Sequence, residues 1–309
     1  MRKWILWALL ILGIAIGAEY YFIPSQLHIA SSRYVKCSSR PAALLLLDEK
    51  NWLQWWPSKS LDKGCWNLHT LNFNIVSSSP YAANISIGEN KDSLSSLIDI
   101  ILYKNDSTGI EWKCDMQAGN DPYHRIINYY RALKIKKSMD ELMNAFVAYA
   151  GNGKNVYGVE IDKRKFKDTF MISTQTTVPT PPDISTIYRV VDKLILYAAS
   201  KDAHAINPPM LNIDAANPSG YILKIAIPIN KEIPSSDSFR FRFMIQGNTL
   251  FAPVTGGPKT IENAIQQMRL YISDYHYSSP AIPFESMVTD RSKETDTTKW
   301  VTHIFYPVM

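Results

Sequence analysis

The chain has 309 residues, of which 46% are hydrophobic and 20% are charged. This composition argues against a disordered chain, and the length favours two domains over one. The 33 basic and 28 acidic residues are spread along the sequence, and no basic stripe is interleaved with aromatic residues, so we expect no nucleic-acid partner. The three cysteines, Cys37, Cys65 and Cys114, lack the close spacing of metal or redox motifs and allow at most one disulfide.

The N-terminal segment carries a long apolar run. Arg2 and Lys3 precede it, and it continues past Glu19 to Ile23. At about 20 residues the run is long enough for a membrane-spanning helix. We therefore expect an anchor over residues 1–24, with membrane contact through residues 4–23. A cleaved signal peptide is the alternative, since Ala18 is a small residue at a candidate cleavage position. Both interpretations place the rest of the chain outside the cytoplasm. If the anchor is retained, it crosses the inner (cytoplasmic) membrane once.

Residues 25–151 alternate between strand-like runs and turn residues. A β-prone segment at 27–36 leads into short helices that include the tryptophan-rich tract 51–57. Ser138 and Glu141 have capping-box spacing, which predicts a closing helix that ends near Gly151. Between the tryptophan-rich tract and this closing helix, the pattern predicts an antiparallel meander with strands at 71–76, 83–87, 95–103 and 109–114.

The tract 51–57 resembles the W-x-x-W-x-P region of the SRPBCC superfamily, the START-like or polyketide cyclase type. Trp52, Trp55 and Pro57 occupy the motif positions. The resemblance implies a helix-grip fold over residues 25–151, in which a curved sheet wraps a long helix around a cavity. From the residues alone, the tryptophans are better interpreted as core and rim aromatics than as ligand contacts.

The second half of the chain contains an internal repeat. Residues 186–197 align with residues 260–271 at an offset of 74, and the alignment runs without a gap until Pro209 falls on Pro283. Each copy carries an amphipathic helix. Strand-like runs precede the helices at 169–178 and 239–245 and follow them at 221–229 and 299–308. The pattern predicts an α+β fold from two β-α-β-β units, at about 160–230 and 239–309, with both helices on one sheet face.

The segment 283–308 resembles the end of GyrI-like domains, also described as AraC effector-binding or SOUL-related. Thr302, Ile304, Pro307 and Val308 match the family pattern T-x-I-x-x-P-V. The resemblance covers residues 155–309 and implies a concave face that holds cationic or aromatic small molecules. It also implies that an acid at the position of Glu285 is the main polar group of the site.

The repeat itself gives a reason to select Glu285. The position is Leu211 in the first copy, so the fold accepts an apolar side chain there and does not require the carboxylate. In an aromatic-walled cleft, a carboxylate would be a strong partner for a cation. We expect Trp300, Met287 and Tyr271 to line the same site.

The sequence favours a membrane-anchored, non-enzymatic protein that binds an amphipathic or cationic small molecule, with no metal and no cofactor. GyrI-like domains are often joined to helix-turn-helix DNA readers, a pattern from which this chain departs. The alternative is a hydrolase that uses Glu285 as general base, with Tyr275 and His276 nearby as candidate acids. No nucleophile elbow or phosphate-binding glycine loop is present. An envelope scaffold whose pocket is filled by side chains is a third possibility.

Overall fold

The computed structural model describes residues 2–58, 61–62, 65–89, 92–104, 106–165, 170–217, 220–244 and 247–309. The chain is α+β, as the sequence predicts, with two antiparallel sheets and a small number of helices among these residues. It divides into two compact units, Met1–Asn152 and Gly153–Met309.

The first unit is built around one antiparallel sheet. Its elements are α1 Arg2–Phe22, β1 Gln26–Val35, α2 Ser39–Leu47, β2 Leu61–Asp62, β3 Cys65–Leu68, β4 Leu71–Ser78, β5 Ala82–Glu89, β6 Asp92–Lys104, β7 Ser107–Gln117 and α3 Pro122–Ala150. The seven strands follow the order β1-β7-β6-β5-β4-β3-β2. The long helix α3 lies against β1 and β7, and a short 3₁₀ helix, Glu49–Gln54, follows α2. Membership of the SRPBCC superfamily stays a prediction.

The tryptophan tract forms the centre of this unit's core. Trp52 is 1% exposed and stacks on Trp56 at a centroid distance of 4.9 Å, and Trp55 meets Phe146 of α3 edge-on at 5.2 Å. The Trp52 indole N–H donates to the carbonyl of Leu46 at 2.8 Å, so its one polar group is satisfied inside the core. The interpretation of these tryptophans as core aromatics is confirmed.

Helix α3 begins earlier than the sequence pattern predicts. Its N-cap is Asp121, whose side chain accepts a hydrogen bond from the backbone N–H of His124 at 3.0 Å, and Pro122 occupies the first turn, where a missing N–H costs nothing. Ser138, predicted as the cap, is instead buried in the middle of the helix. The helix begins after Asp121 because an aspartate followed by proline is a stronger helix start signal than the pattern at Ser138.

The N-terminal segment is helical as α1 and contacts α3. Within the described part of the chain, no helix has the length and apolar character needed to cross a membrane. Several side chains of α1, including that of Glu19, lie outside the described part. The expected membrane partner through residues 4–23 is therefore corrected to a helix packed near α3. The predicted extracytoplasmic location stays a prediction.

Two of the three cysteines are buried inside the first unit. Cys114 is a buried free thiol and Cys37 is buried as well, whereas the side chain of Cys65 lies outside the described residues. Burial raises the pKa of the Cys114 thiol to about 12. The reactive form of cysteine is the thiolate, so Cys114 is chemically inert near neutral pH.

We expect the folded Cys65→Ser variant to resist thiol labelling at pH 8. With a pKa near 12, the thiolate of Cys114 is populated at roughly one part in ten thousand at that pH. Ellman's reagent should release its chromophore only after guanidinium chloride unfolds the protein, and then at two thiols per chain. Fast labelling of the folded variant would show that the first unit opens readily around Cys114.

The second unit is built around a second antiparallel sheet. Its elements are α4 Gly153–Tyr157, β8 Asp162–Lys165, β9 Phe170–Val178, α5 Ile184–Ala199, β10 Met210–Asn217, β11 Gly220–Ile229, β12 Arg240–Phe243, β13 Asn248–Thr255, α6 Pro258–Asp274, β14 Phe284–Met287 and β15 Val301–Val308. The eight strands follow the order β12-β9-β11-β10-β14-β15-β13-β8. The short helix α4 packs against α6.

The two copies of the repeat are β9-α5-β10-β11 and β13-α6-β14-β15. The strand that opens the second copy is β13, because it pairs with β15 as β9 pairs with β11. The sequence-based choice of 239–245 is wrong for this role. Its described part forms β12, a separate strand at the outer edge of β9, and residue 245 lies outside the described residues. Both segments are rich in β-forming residues, so only pairing distinguishes them.

Candidate functional site

The two copies meet at the pairing of β10 with β14. In this pair Leu211 lies directly opposite Glu285, and these are equivalent positions of the repeat, 74 residues apart. An approximate twofold axis therefore passes between them. On the neighbouring strands, Leu211 lies opposite Ile225 of β11, and Glu285 lies opposite Ile304 of β15. These four residues form a row across the four strands, in which Glu285 is the acidic member.

Glu285 is on the face of the sheet that carries the helices. Residues directly opposite each other in an antiparallel pair point to the same face. Leu211 belongs to the buried cluster that α5 covers, and Ile304 belongs to the corresponding cluster beneath α6. The carboxylate therefore projects from the centre of the sheet toward the layer that contains both helices.

The Glu285 carboxylate forms an ion pair with Arg291. Its Oε2 accepts a hydrogen bond from Arg291 Nη2 at 3.1 Å, and the side chains are 19% and 5% exposed, respectively. The same Nη2 donates to Thr302 Oγ1 at 2.8 Å. The guanidinium carbon lies 5.0 Å from the centre of the Trp300 ring, which is within the range of a cation–π interaction.

The loop between β14 and β15 holds Arg291 in place. The Arg291 backbone N–H donates to the Tyr188 hydroxyl of α5 at 2.7 Å. Burial raises the pKa of Tyr188, which keeps this hydroxyl protonated, and its own hydrogen can reach the Thr289 carbonyl at 3.4 Å. Asp290 Oδ1 accepts hydrogen bonds from the backbone and hydroxyl of Ser292, which fixes the turn and lowers the pKa of Asp290.

The structure brings together some of the predicted site residues. Trp300 contacts the guanidinium of Arg291, which in turn contacts Glu285. The Trp300 indole N–H donates to the Glu294 carbonyl at 2.9 Å. Met287 lies two residues along β14 from Glu285, on the same face, and is buried in the cluster under α5. Tyr271 instead stacks on Tyr275 at 4.3 Å and has no described contact with the carboxylate.

The residues of the hydrolase alternative lie at the end of α6. Tyr275 is part of the stack with Tyr271, and His276 is exposed with a φ of 55°, the left-handed conformation typical of a residue after a helix. Among the described residues, no hydrogen bond links either side chain to Glu285. The described contacts therefore do not assemble an acid–base pair.

Arg291 is the residue of the candidate site that the sequence did not indicate. It lies six positions after Glu285 in a polar loop of Asp, Ser, Lys and Thr residues, which is the composition of an exposed connection. Nothing in that pattern distinguishes an arginine that turns inward from one that points to solvent. The weak signal is that an acid in a core strand requires a compensating partner.

Solved structures that are similar to this chain at low sequence identity include the following three. The crystal structure of the EcmrR C-terminal domain is 16% identical, covers 49% of this chain and 98% of its own, and has a TM-score of 0.40. A cryo-EM structure of an EcmrR–DNA complex is 14% identical, with coverages of 60% and 70% and a TM-score of 0.42. The structure of SAV2435 bound to tetraphenylphosphonium is 12% identical, with coverages of 48% and 94% and a TM-score of 0.32.

No family model and no curated protein matches the chain. One of the three similar structures is a complex with DNA, and the sequence-based expectation that excludes a nucleic-acid partner is accordingly corrected: nucleic acid is not excluded.

Proposed function

We propose that the second unit is a GyrI-like, non-enzymatic unit that binds an amphipathic small molecule beside Glu285, on the helix-bearing face of its sheet. The observation that carries the proposal is the carboxylate at the approximate twofold axis, in a row where its equivalent is Leu211. Because the equivalent position of the first copy is leucine, the geometry of the sheet itself accepts an apolar side chain there. A small number of polar groups in an apolar setting is typical of a ligand site.

Glu285 keeps the capacity to bind one more donor. Its Oε2 accepts from Arg291, whereas Oε1 has no hydrogen-bond partner among the described residues. An ionised carboxylate offers about four acceptor positions. A ligand N–H or O–H group can therefore donate to Oε1, while the buried Trp300 and Met287 hold the strands around it in place.

A hydrolase is the second candidate, and the geometry favours it less. A general base must lie within hydrogen-bond reach of the water it activates, and a partner acid must reach the leaving group. Here Oε2 is engaged by a guanidinium, and Tyr275 and His276 have no described hydrogen bond to the carboxylate. A binding role needs only the groups already present.

We expect the full chain to bind N-phenyl-1-naphthylamine, a neutral amphipathic fluorophore with one N–H donor. Fluorescence titration should give a saturable rise, and Glu285→Gln should weaken the affinity by about tenfold, the usual effect of losing one hydrogen bond to a charged group. The matched control is Glu141→Gln, which changes a partly exposed acid of the first unit that pairs with His69. Equal affinities of wild type and Glu285→Gln, or no saturable binding, would contradict the proposal.

A further inference from the structure

We infer that Arg291 is a built-in cation that occupies the charged end of this site and so excludes ligands that carry a fixed positive charge. The inference rests on the proposed function, because it specifies the class of ligand that the site beside Glu285 accepts. Of the amphipathic or cationic ligands expected from the sequence, the site then accepts uncharged amphipathic molecules.

The surroundings of Arg291 have the composition of a cation-binding site. A carboxylate oxygen of Glu285 lies 3.1 Å from Nη2, the Thr302 hydroxyl lies 2.8 Å from the same atom, and the Trp300 ring centre lies 5.0 Å from the guanidinium carbon. A carboxylate, a hydroxyl acceptor and an aromatic face are the groups that proteins use to hold organic cations. In this chain they hold a side chain of the protein itself.

Because Arg291 is covalently part of the chain, it binds to this site with a large advantage over a free cation. Its backbone N–H is fixed to Tyr188, and its side chain is 5% exposed. A group linked through a short loop competes as if it were present at about millimolar concentration or above. A cationic ligand would have to displace it and leave a guanidinium to find new partners in a buried position, which is costly.

The groups that remain unused fit an uncharged ligand. Glu285 Oε1 can accept one more hydrogen bond, and the Nε–H of Arg291 is buried without a hydrogen-bond partner among the described residues. Buried donors are nearly always paired in folded proteins. A neutral molecule that offers a donor to Oε1 and an oxygen acceptor to Nε, as an amide or a hydroxy-ketone does, satisfies both groups without adding charge to the neutralised pair.

The test compares wild type, Arg291→Ala and the double variant Arg291→Ala/Glu285→Gln with ethylguanidinium, which restores most of the truncated side chain. Isothermal titration should detect no binding of millimolar ethylguanidinium to wild type. Arg291→Ala should bind it at least about tenfold more tightly than wild type, and the double variant should lose that gain, because the gain depends on the carboxylate. Thermal shift supplies a second readout, since a bound ion raises Tm.

Titration with N-phenyl-1-naphthylamine separates the two proposals. If wild type binds this neutral probe and Arg291→Ala gains no affinity for ethylguanidinium, the role of Arg291 is refuted and the binding function stands. If the cation gain appears but no variant binds the neutral probe, the occupancy of the site by Arg291 stands and the proposed function fails. Should Arg291→Ala not fold, Arg291→Ser is measured in the same way, and the absence of a cation gain there overturns the inference.

Discussion

Replacing Trp52 by alanine is expected to lower the free energy of unfolding of the first unit by about 3–5 kcal/mol, the usual cost of removing a large buried aromatic side chain. Trp52 is 1% exposed, stacks on Trp56 at 4.9 Å and meets Trp66 edge-on at 5.8 Å. Its removal leaves a void that these neighbours cannot fill without leaving their own contacts. The loss also orphans the Leu46 carbonyl that accepts the indole N–H.

The measurement is hydrogen exchange by mass spectrometry, read separately for the peptides of each unit. Protection in strands β4 to β7 should fall in step with the loss of stability, because core strands exchange through opening of the whole unit. Trp52→Phe is the matched control, since it keeps an aromatic ring and should cost clearly less. Unchanged protection in Trp52→Ala would mean that the tryptophan cluster does not determine the stability of this unit.

Removing Glu285 is expected to destabilise the second unit more than removing Arg291. In Glu285→Leu the guanidinium stays 5% exposed but loses its counter-charge, and we expect a cost of about 3–5 kcal/mol, typical of breaking a buried ion pair from one side. In Arg291→Leu the carboxylate is already 19% exposed and can regain water, so the expected cost is about 1–2 kcal/mol.

The double variant Glu285→Leu/Arg291→Leu completes a double-mutant cycle. We expect it to be more stable than Glu285→Leu alone and close to wild type, because apolar replacement of a buried ion pair is often neutral. Leucine at position 285 also reproduces the residue found at the equivalent position 211. Urea denaturation followed by far-ultraviolet circular dichroism gives the four free energies. Additive single effects would show that the two side chains do not interact in the folded protein.

Much of the second unit could be predicted from the repeat. The offset of 74 residues places Glu285 at the position of Leu211, and the structure pairs these two residues directly across β10 and β14. The helices α5 and α6 begin at Ile184 and Pro258, which differ by the same 74 positions. Helical periodicity and repeat spacing are local properties of the chain, and for that reason they can be read without tertiary information.

The role of each strand in the repeat is harder to predict from the sequence than the positions of the helices. The run at 239–245 and the segment Asn248–Thr255 are both β-prone, and the sequence pattern alone predicts the wrong one as the first strand of the second copy. Likewise Ser138 has a plausible capping pattern, yet the helix continues through it because the N-cap is Asp121, seventeen residues earlier, followed by Pro122. Pairing partners and long-range burial decide such cases.

The sequence by itself determined that the chain is α+β, that its second half is duplicated, and that one copy places an acid where the other places leucine. These properties follow from composition, period and spacing, which do not depend on distant contacts. Only the tertiary structure decided that the acid lies at the approximate twofold axis and that Arg291 neutralises it. The direction of one loop side chain depends on contacts with Tyr188, Thr302 and Trp300. Those contacts are brought together only by folding.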